Sequence, residues 1–126
     1  MSAIPLRTIL QGERVFGADA EAIAARKPYN VFPDAFRLLG RNTTHPSVED
    51  YSKNSYIAAG VVANERAGAS FVVPPDSGKP SLEYSAEEAT AMLLAHAKEF
   101  TEGFGDVSVK DAVITVPVYF TQVCRV

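Results

Sequence analysis

Long apolar runs are what this sequence most lacks. No stretch approaches the roughly 20 apolar residues that a membrane-crossing helix needs. Residues Met1 to Gly12 carry neither the basic start nor the long apolar stretch of a secretory leader, so the chain as written is expected in the cytoplasm, without membrane insertion. Lys and Arg never cluster and the formal charge is -3. That balance argues against a basic footprint for nucleic acid or an anionic membrane. The one cysteine, Cys124, excludes an internal disulfide and has no basic motif placing it near a His, so it reads as an inert thiol. The two histidines, His45 and His96, fall in different predicted elements. A zinc site needs three or four converging ligands, and no metal site is expected. There is no internal repeat and no low-complexity tract.

What is present is a globular composition. The 126 residues, 47% hydrophobic and 21% charged, fit one domain with enough chain to bury a core. Ile4 to Leu10 and Glu13 to Phe16 read as two strands of a hairpin turning at Gly12, with Pro5 confining the first to an edge or a strand start. Ala18 to Lys27 reads as an Ala-rich helix ended by Pro28. Val31 to Leu39 spaces its apolar residues by three and four, as one face of a short helix stopped by Gly40. Pro46 to Lys53 predicts a further helical turn. Tyr56 to Ala63, Ala69 to Val73 and Ser81 to Tyr84 read as strands, joined by a polar turn at Asn64 to Gly68 and a proline-bounded loop at Pro74 to Pro80. Ser85-Ala86-Glu87-Glu88 is a capping box. Its helix is expected to run to about Phe100 or Thr101, to bury Ala89, Met92, Leu93, Ala97 and Phe100, and to close at Gly103 and Gly105. Ala112 to Val116, short, β-branched and apolar on both faces, predicts a buried strand ending at Pro117, around which the rest should pack. The fold class is therefore mixed α/β.

Few side chains present chemistry. Gly78-Lys79 lacks the upstream glycine and following hydroxyl of a phosphate loop, with Val73 and Pro80 in their places. Gly103-Phe104-Gly105 follows a helix, not the strand that a dinucleotide fingerprint requires. Adjacent Glu87 and Glu88 diverge by about 100° on a helix and cannot flank one bond, so they read as charge at a helix N-terminus. Arg37 and Arg41, four apart on a helical face, could grip a phosphate or carboxylate; the alternative is a solvated basic strip. Asn42-Thr43-Thr44 is an acceptor triplet for N-glycosylation, meaningful if the chain enters the secretory pathway.

Four motifs in order resemble the nucleotide-binding domain of the seventy-kilodalton heat-shock chaperones. Glu13-Arg14-Val15-Phe16-Gly17-Ala18-Asp19-Ala20 resembles a strand and helix start of that family. Arg37-Leu38-Leu39-Gly40-Arg41 resembles its "RLIGR", the helix capped at Ser85 its "PEEV" helix, and Lys110 to Phe120 its "AV-T-VPAYF" stretch. Leu38-Leu39-Gly40, His45-Pro46 to Tyr51 and Lys110 to Pro117 look closest to the large hypoxia-up-regulated chaperones of the endoplasmic reticulum. The resemblance implies a partial actin-like ATPase lobe, with residues 1–108 as the small peripheral subdomain and 109–126 as the start of the return to the basal one. It implies ATP or ADP with Mg in the parent protein, and co-chaperones, nucleotide-exchange factors and unfolded clients as its partners. The endoplasmic-reticulum lumen is the implied compartment.

The phosphate hairpins, the metal-coordinating acids and the adenosine-binding lobe have no counterpart here, so a self-sufficient nucleotide site is not implied for this chain alone. Phe36 stands where the family has its catalytic lysine, which puts the usual hydrolytic route in question. Arg37 and Arg41 match arginines that face the nucleotide cleft. Thr115, Pro117 and Arg125 match positions of interdomain signalling, although Val123, Cys124 and Val126 depart from the pattern around Arg125 and suggest a truncated or mis-spliced reading frame. The rival expectation is a non-enzymatic interaction module that binds co-chaperones or exchange factors.

Overall fold

The computed structural model describes residues 8–11, 13–53, 59–75, 80–118 and 120. Strands β1 (Thr8–Gln11) and β2 (Glu13–Phe16) pair antiparallel, Thr8 opposite Phe16 and Gln11 opposite Glu13. The pairing is as expected; residues 4–7 of the first strand and Gly12 at the expected turn lie outside the described residues. Gly17 then turns the chain with a φ of +62°, a conformation open to glycine at little cost, into helix α1 (Gly17–Ala24). Ala20 and Val31 are buried together there, packed by Val15, Ile23 and Ala24.

The stretch expected as one helix from Val31 to Leu39 is instead mostly irregular, with a single 3₁₀ turn at Ala35–Leu38. Pro33 explains the difference, because its ring disfavours helical backbone at the preceding Phe32, and Asp34 follows in the left-handed region at φ 51°. The apolar residues are nonetheless buried: Val31, Phe32, Ala35 and Leu38 all face inward. Helix α2 (Pro46–Lys53) adds Val48 and Tyr51 to the same core.

The centre of the molecule is a three-stranded antiparallel sheet of β3 (Gly60–Ala63), β4 (Ala69–Val73) and β5 (Leu82–Ser85), in the order β3-β4-β5. Val61 and Tyr84 both stand opposite Phe71 on β4. Flanked on both sides, β4 buries Ala69, Ser70, Phe71 and Val73. The Phe71 ring is fully buried and stacks on Phe32, centroids 4.6 Å apart. Residues 54–58, of which 56–58 belong to the strand expected at Tyr56 to Ala63, and residues 76–79 of the proline-bounded loop lie outside the described residues.

Helix α3 (Ala86–Gly105) starts with the expected capping box: Glu88 N donates to Ser85 Oγ at 3.1 Å, and Ser85 N to Glu88 Oε2 at 2.7 Å. Ala86 and Ala89 are buried and Met92 is packed against the core, but Ala97 and Phe100, expected in that stripe, are exposed. The helix runs past Phe100, Thr101 and Gly103 and ends at Gly105, the second of the two expected closing glycines, where Asp106 takes a left-handed φ of 49°. A glycine costs a helix about 1 kcal/mol, too little for Gly103 to end one that is reinforced by Thr101 Oγ1 bonding Ala97 O at 2.7 Å and by the i,i+4 pair Lys98–Glu102.

Ala112 to Val116 is not a buried strand. It has no regular secondary structure and no ladder, with Val113 98% and Val118 95% exposed. None of β1 to β5 pairs with it, and a strand without neighbours can neither satisfy its amides nor cover its side chains. The element around which the described chain packs is β4.

Candidate functional site

The arginine motif sits where three elements meet. Gly40, at φ +63°, breaks the chain away from the 3₁₀ turn and donates its amide to Glu87 Oε1 at 3.2 Å, tying this loop to the start of α3. Arg41 then folds back over α2. Its Nη1 lies 3.0 Å from His45 Nδ1, 2.9 Å from Nε2 and 3.1 Å from Ser47 Oγ. Ser47 N also donates to His45 Nδ1 at 3.1 Å. His45 is a bracket between Arg41 and the first turn of α2.

Arg37 goes elsewhere. It lies exposed on the 3₁₀ turn, its amide bonding Asp34 O at 2.9 Å, and its charge, with that of Asp34, acts on the Tyr51 phenol. The helical face that was expected to carry both arginines ends at Leu38. Phe36 is half-buried on the same turn, an apolar ring at that position.

Beside Arg41 opens a basin of about 1150 Å³, lined among others by Asn42, Arg66, Ser70, Glu83 and Glu87. Ser70 Oγ is buried there with no hydrogen-bond partner among the described residues. Acidic and basic groups face the space together, so it has no single-signed field for a free anion. The sequence had Glu87 only as charge at a helix start; its bond to Gly40 spans 47 residues and left no local signal. The stacking of His96 on Phe16, centroids 4.1 Å apart, is a second long-range contact that no spacing could show.

The remaining candidates are scattered. Asn42 is exposed, bridges to Gly68 through its backbone and accepts a hydrogen bond from Thr44. Thr115 is exposed and Pro117 half-buried; the Pro117 carbonyl accepts from Phe120 N at 3.1 Å. Arg125 and Cys124 lie outside the described residues. Among the described residues no three His, Cys, Asp or Glu side chains group so as to hold a metal ion, and no helix is long and apolar enough to cross a membrane.

Comparison with known proteins follows the same lines. A family model described as Hsp70 protein matches residues 8–126. Heat shock 70 kDa protein 17 of Arabidopsis thaliana is 33% identical over 114 residues, which cover 90% of this chain and 12% of that protein. Hypoxia up-regulated protein 1 of Danio rerio is 30% identical over 115 residues, 91% of this chain and 11% of the relative. The Homo sapiens protein of that name is 30% identical over 118 residues, 94% and 11%. The chain thus spans about a tenth of the length of the curated relatives it matches. Its mixed α/β architecture fits part of one lobe of the family's nucleotide-binding domain, and the match from residue 8 to residue 126 makes the chain a member of the Hsp70 family.

Proposed function

We propose that this chain is a piece of an ATP-dependent protein-folding chaperone: residues 1–108 as the small peripheral subdomain of the nucleotide-binding lobe and 109–126 as the start of its return to the basal subdomain. The observation that carries this reading is the exposed, unpaired apolar segment from Ala112 to Val118. A β-branched, apolar segment with no ladder is suited to a sheet whose other strands come from outside the described residues. In the parent protein, ATP with Mg supplies the energy for cycling between conformations. Toward that nucleotide this chain offers the guanidinium groups of Arg37 and Arg41 at the cleft, while Thr115, Pro117 and Arg125 carry the signal between domains.

The isolated chain does not hydrolyse ATP in this reading, because Phe36 occupies the position of the family's catalytic lysine and a phenyl ring can neither donate to a phosphate nor orient water. Co-chaperones, exchange factors and unfolded clients are partners of the parent, and its compartment is the endoplasmic-reticulum lumen, following the likeness to hypoxia up-regulated protein 1. The exposed stacked pair Phe100 and Phe104 favours a second reading, a non-enzymatic module that binds another protein through that face.

Co-expression with the complementary remainder of a relative's nucleotide-binding domain tests the first reading. Val113, Ile114 and Val118 are expected to gain hydrogen-exchange protection on assembly, while calorimetric titration of the chain alone with ATP gives no binding heat and no turnover. Unchanged exchange at those residues, or micromolar binding with turnover by the chain alone, would sink it.

A further inference from the structure

We infer that Asn42 is an acceptor for N-linked oligosaccharide. The chain has four asparagines, Asn30, Asn42, Asn54 and Asn64, and only Asn42 is followed at the second position by Ser or Thr. The middle residue, Thr43, is not proline, and Pro46 stands two residues beyond the triplet, where it leaves the triplet's own backbone unrestricted. Asn42 and Thr44 are both exposed, and Thr44 Oγ1 donates to Asn42 Oδ1 at 3.0 Å. Both side chains of the triplet thus stand at the surface of the folded chain.

The folded chain has room for the product. Asn42 holds its place through its backbone, by the bridge to Gly68 and by its carbonyl accepting from His45 N at 3.1 Å. Its side-chain amide takes no part in the contacts of Arg41 with His45 and Ser47. A sugar on Nδ2 therefore displaces none of the packing that holds this loop.

The donor is an oligosaccharide carried on a polyisoprenoid pyrophosphate. A bond forms between Asn42 Nδ2 and the anomeric carbon of the first sugar, and the bond from that carbon to the pyrophosphate oxygen breaks. The lipid pyrophosphate leaves with the electron pair, and the amide proton passes to a base of the transferring enzyme. The inference rests on the proposed lumenal compartment, so the experiment has two arms.

In the first arm the 126-residue chain is expressed in eukaryotic cells behind a cleavable secretory leader. Transfer acts on the emerging chain, and stable folding of each variant is not a precondition. The expected result is one discrete mass increase, removed by peptide-N-glycosidase with deamidation of Asn42, absent in Asn42→Gln and Thr44→Ala, and retained in Thr44→Ser. An unmodified chain in this arm, or a modification that persists in Asn42→Gln, overturns the inference. In the second arm the same mass measurement is made on the protein expressed from its own gene in its own cells. Modification there supports both acceptor and compartment. If the chain is glycosylated behind the leader but not from its own gene, the lumenal reading falls, and with it the modification in the cell.

Discussion

Tyr51 packs its ring against Phe71, centroids 6.0 Å apart, while its hydroxyl donates to the Pro33 carbonyl. Burial pushes its phenol above the ordinary 10.0, the Asp34 charge adds to the rise and Arg37 opposes it. The unfolded chain therefore gives up this proton first as pH rises. The resulting stability is complete below about pH 10 and is lost as pH climbs toward the folded value. Tyr51→Phe should cost about 1 kcal/mol near neutrality for the lost hydrogen bond, and the gap in urea midpoint between wild type and variant should narrow above about pH 10. A constant gap across that range would disprove the linkage. Ser70 presents the reverse case, 1% exposed with an unpartnered hydroxyl among the described residues. A buried hydroxyl without a partner costs about 1–3 kcal/mol in mutational data, so Ser70→Ala should raise the urea midpoint; a fall would mean that the hydroxyl is satisfied after all.

At the scale of elements, α3 has two unequal halves. Its first turn is held by the Ser85 and Glu88 cap, by buried Ala86 and Ala89, and by Glu87 reaching Gly40. Its last turns project beyond the core, with Phe100 and Phe104 exposed and the tether from Val109 N to Glu102 Oε1, 2.8 Å, as one of their few fastenings. Ser85→Ala should therefore cost about 1 kcal/mol in equilibrium unfolding, and amide exchange should become faster in the first turn than in the last. An effect confined to the C-terminal turns would contradict this division. The capping box was legible in the sequence because its partners are three residues apart. The passage of the helix through Gly103 was not, because glycine is a weak terminator when side-chain pairs support the turns around it.

For the whole molecule, seven of the eleven exposed large apolar side chains among the described residues fall in one stretch of sequence: Phe100, Phe104, Val107, Val113, Ile114, Val116 and Val118. Phe100 and Phe104 stack on each other, centroids 6.4 Å apart, with Phe104 89% exposed. Apolar surface of this kind drives association. The isolated chain is expected to self-associate in sedimentation velocity, and the double substitution Phe100→Ser and Phe104→Ser should reduce that association with a loss of stability below about 0.5 kcal/mol, as for surface sites in general. A large drop in stability would mean that these rings are packed in solution.

The sequence by itself determined the elements whose causes are local: the pairing of β1 with β2, helix α2 behind Pro46, strand β4 and its turn, the capped start of α3, and the ordered motifs of the Hsp70 family. Those depend on backbone geometry and on partners a few residues away, which the order of residues states directly. Only the tertiary structure decided which apolar segment became the core. Phe71 was enclosed because β3 and β5 came to flank its strand, whereas Ala112 to Val116, no less apolar, found no strand to pair with among the described residues. It also parted Arg37 from Arg41, since Pro33 and Gly40 cut the expected helix at both ends and His45 drew Arg41 onto α2. Burial depends on neighbours brought in from distant parts of the chain, and apolar character alone does not name them.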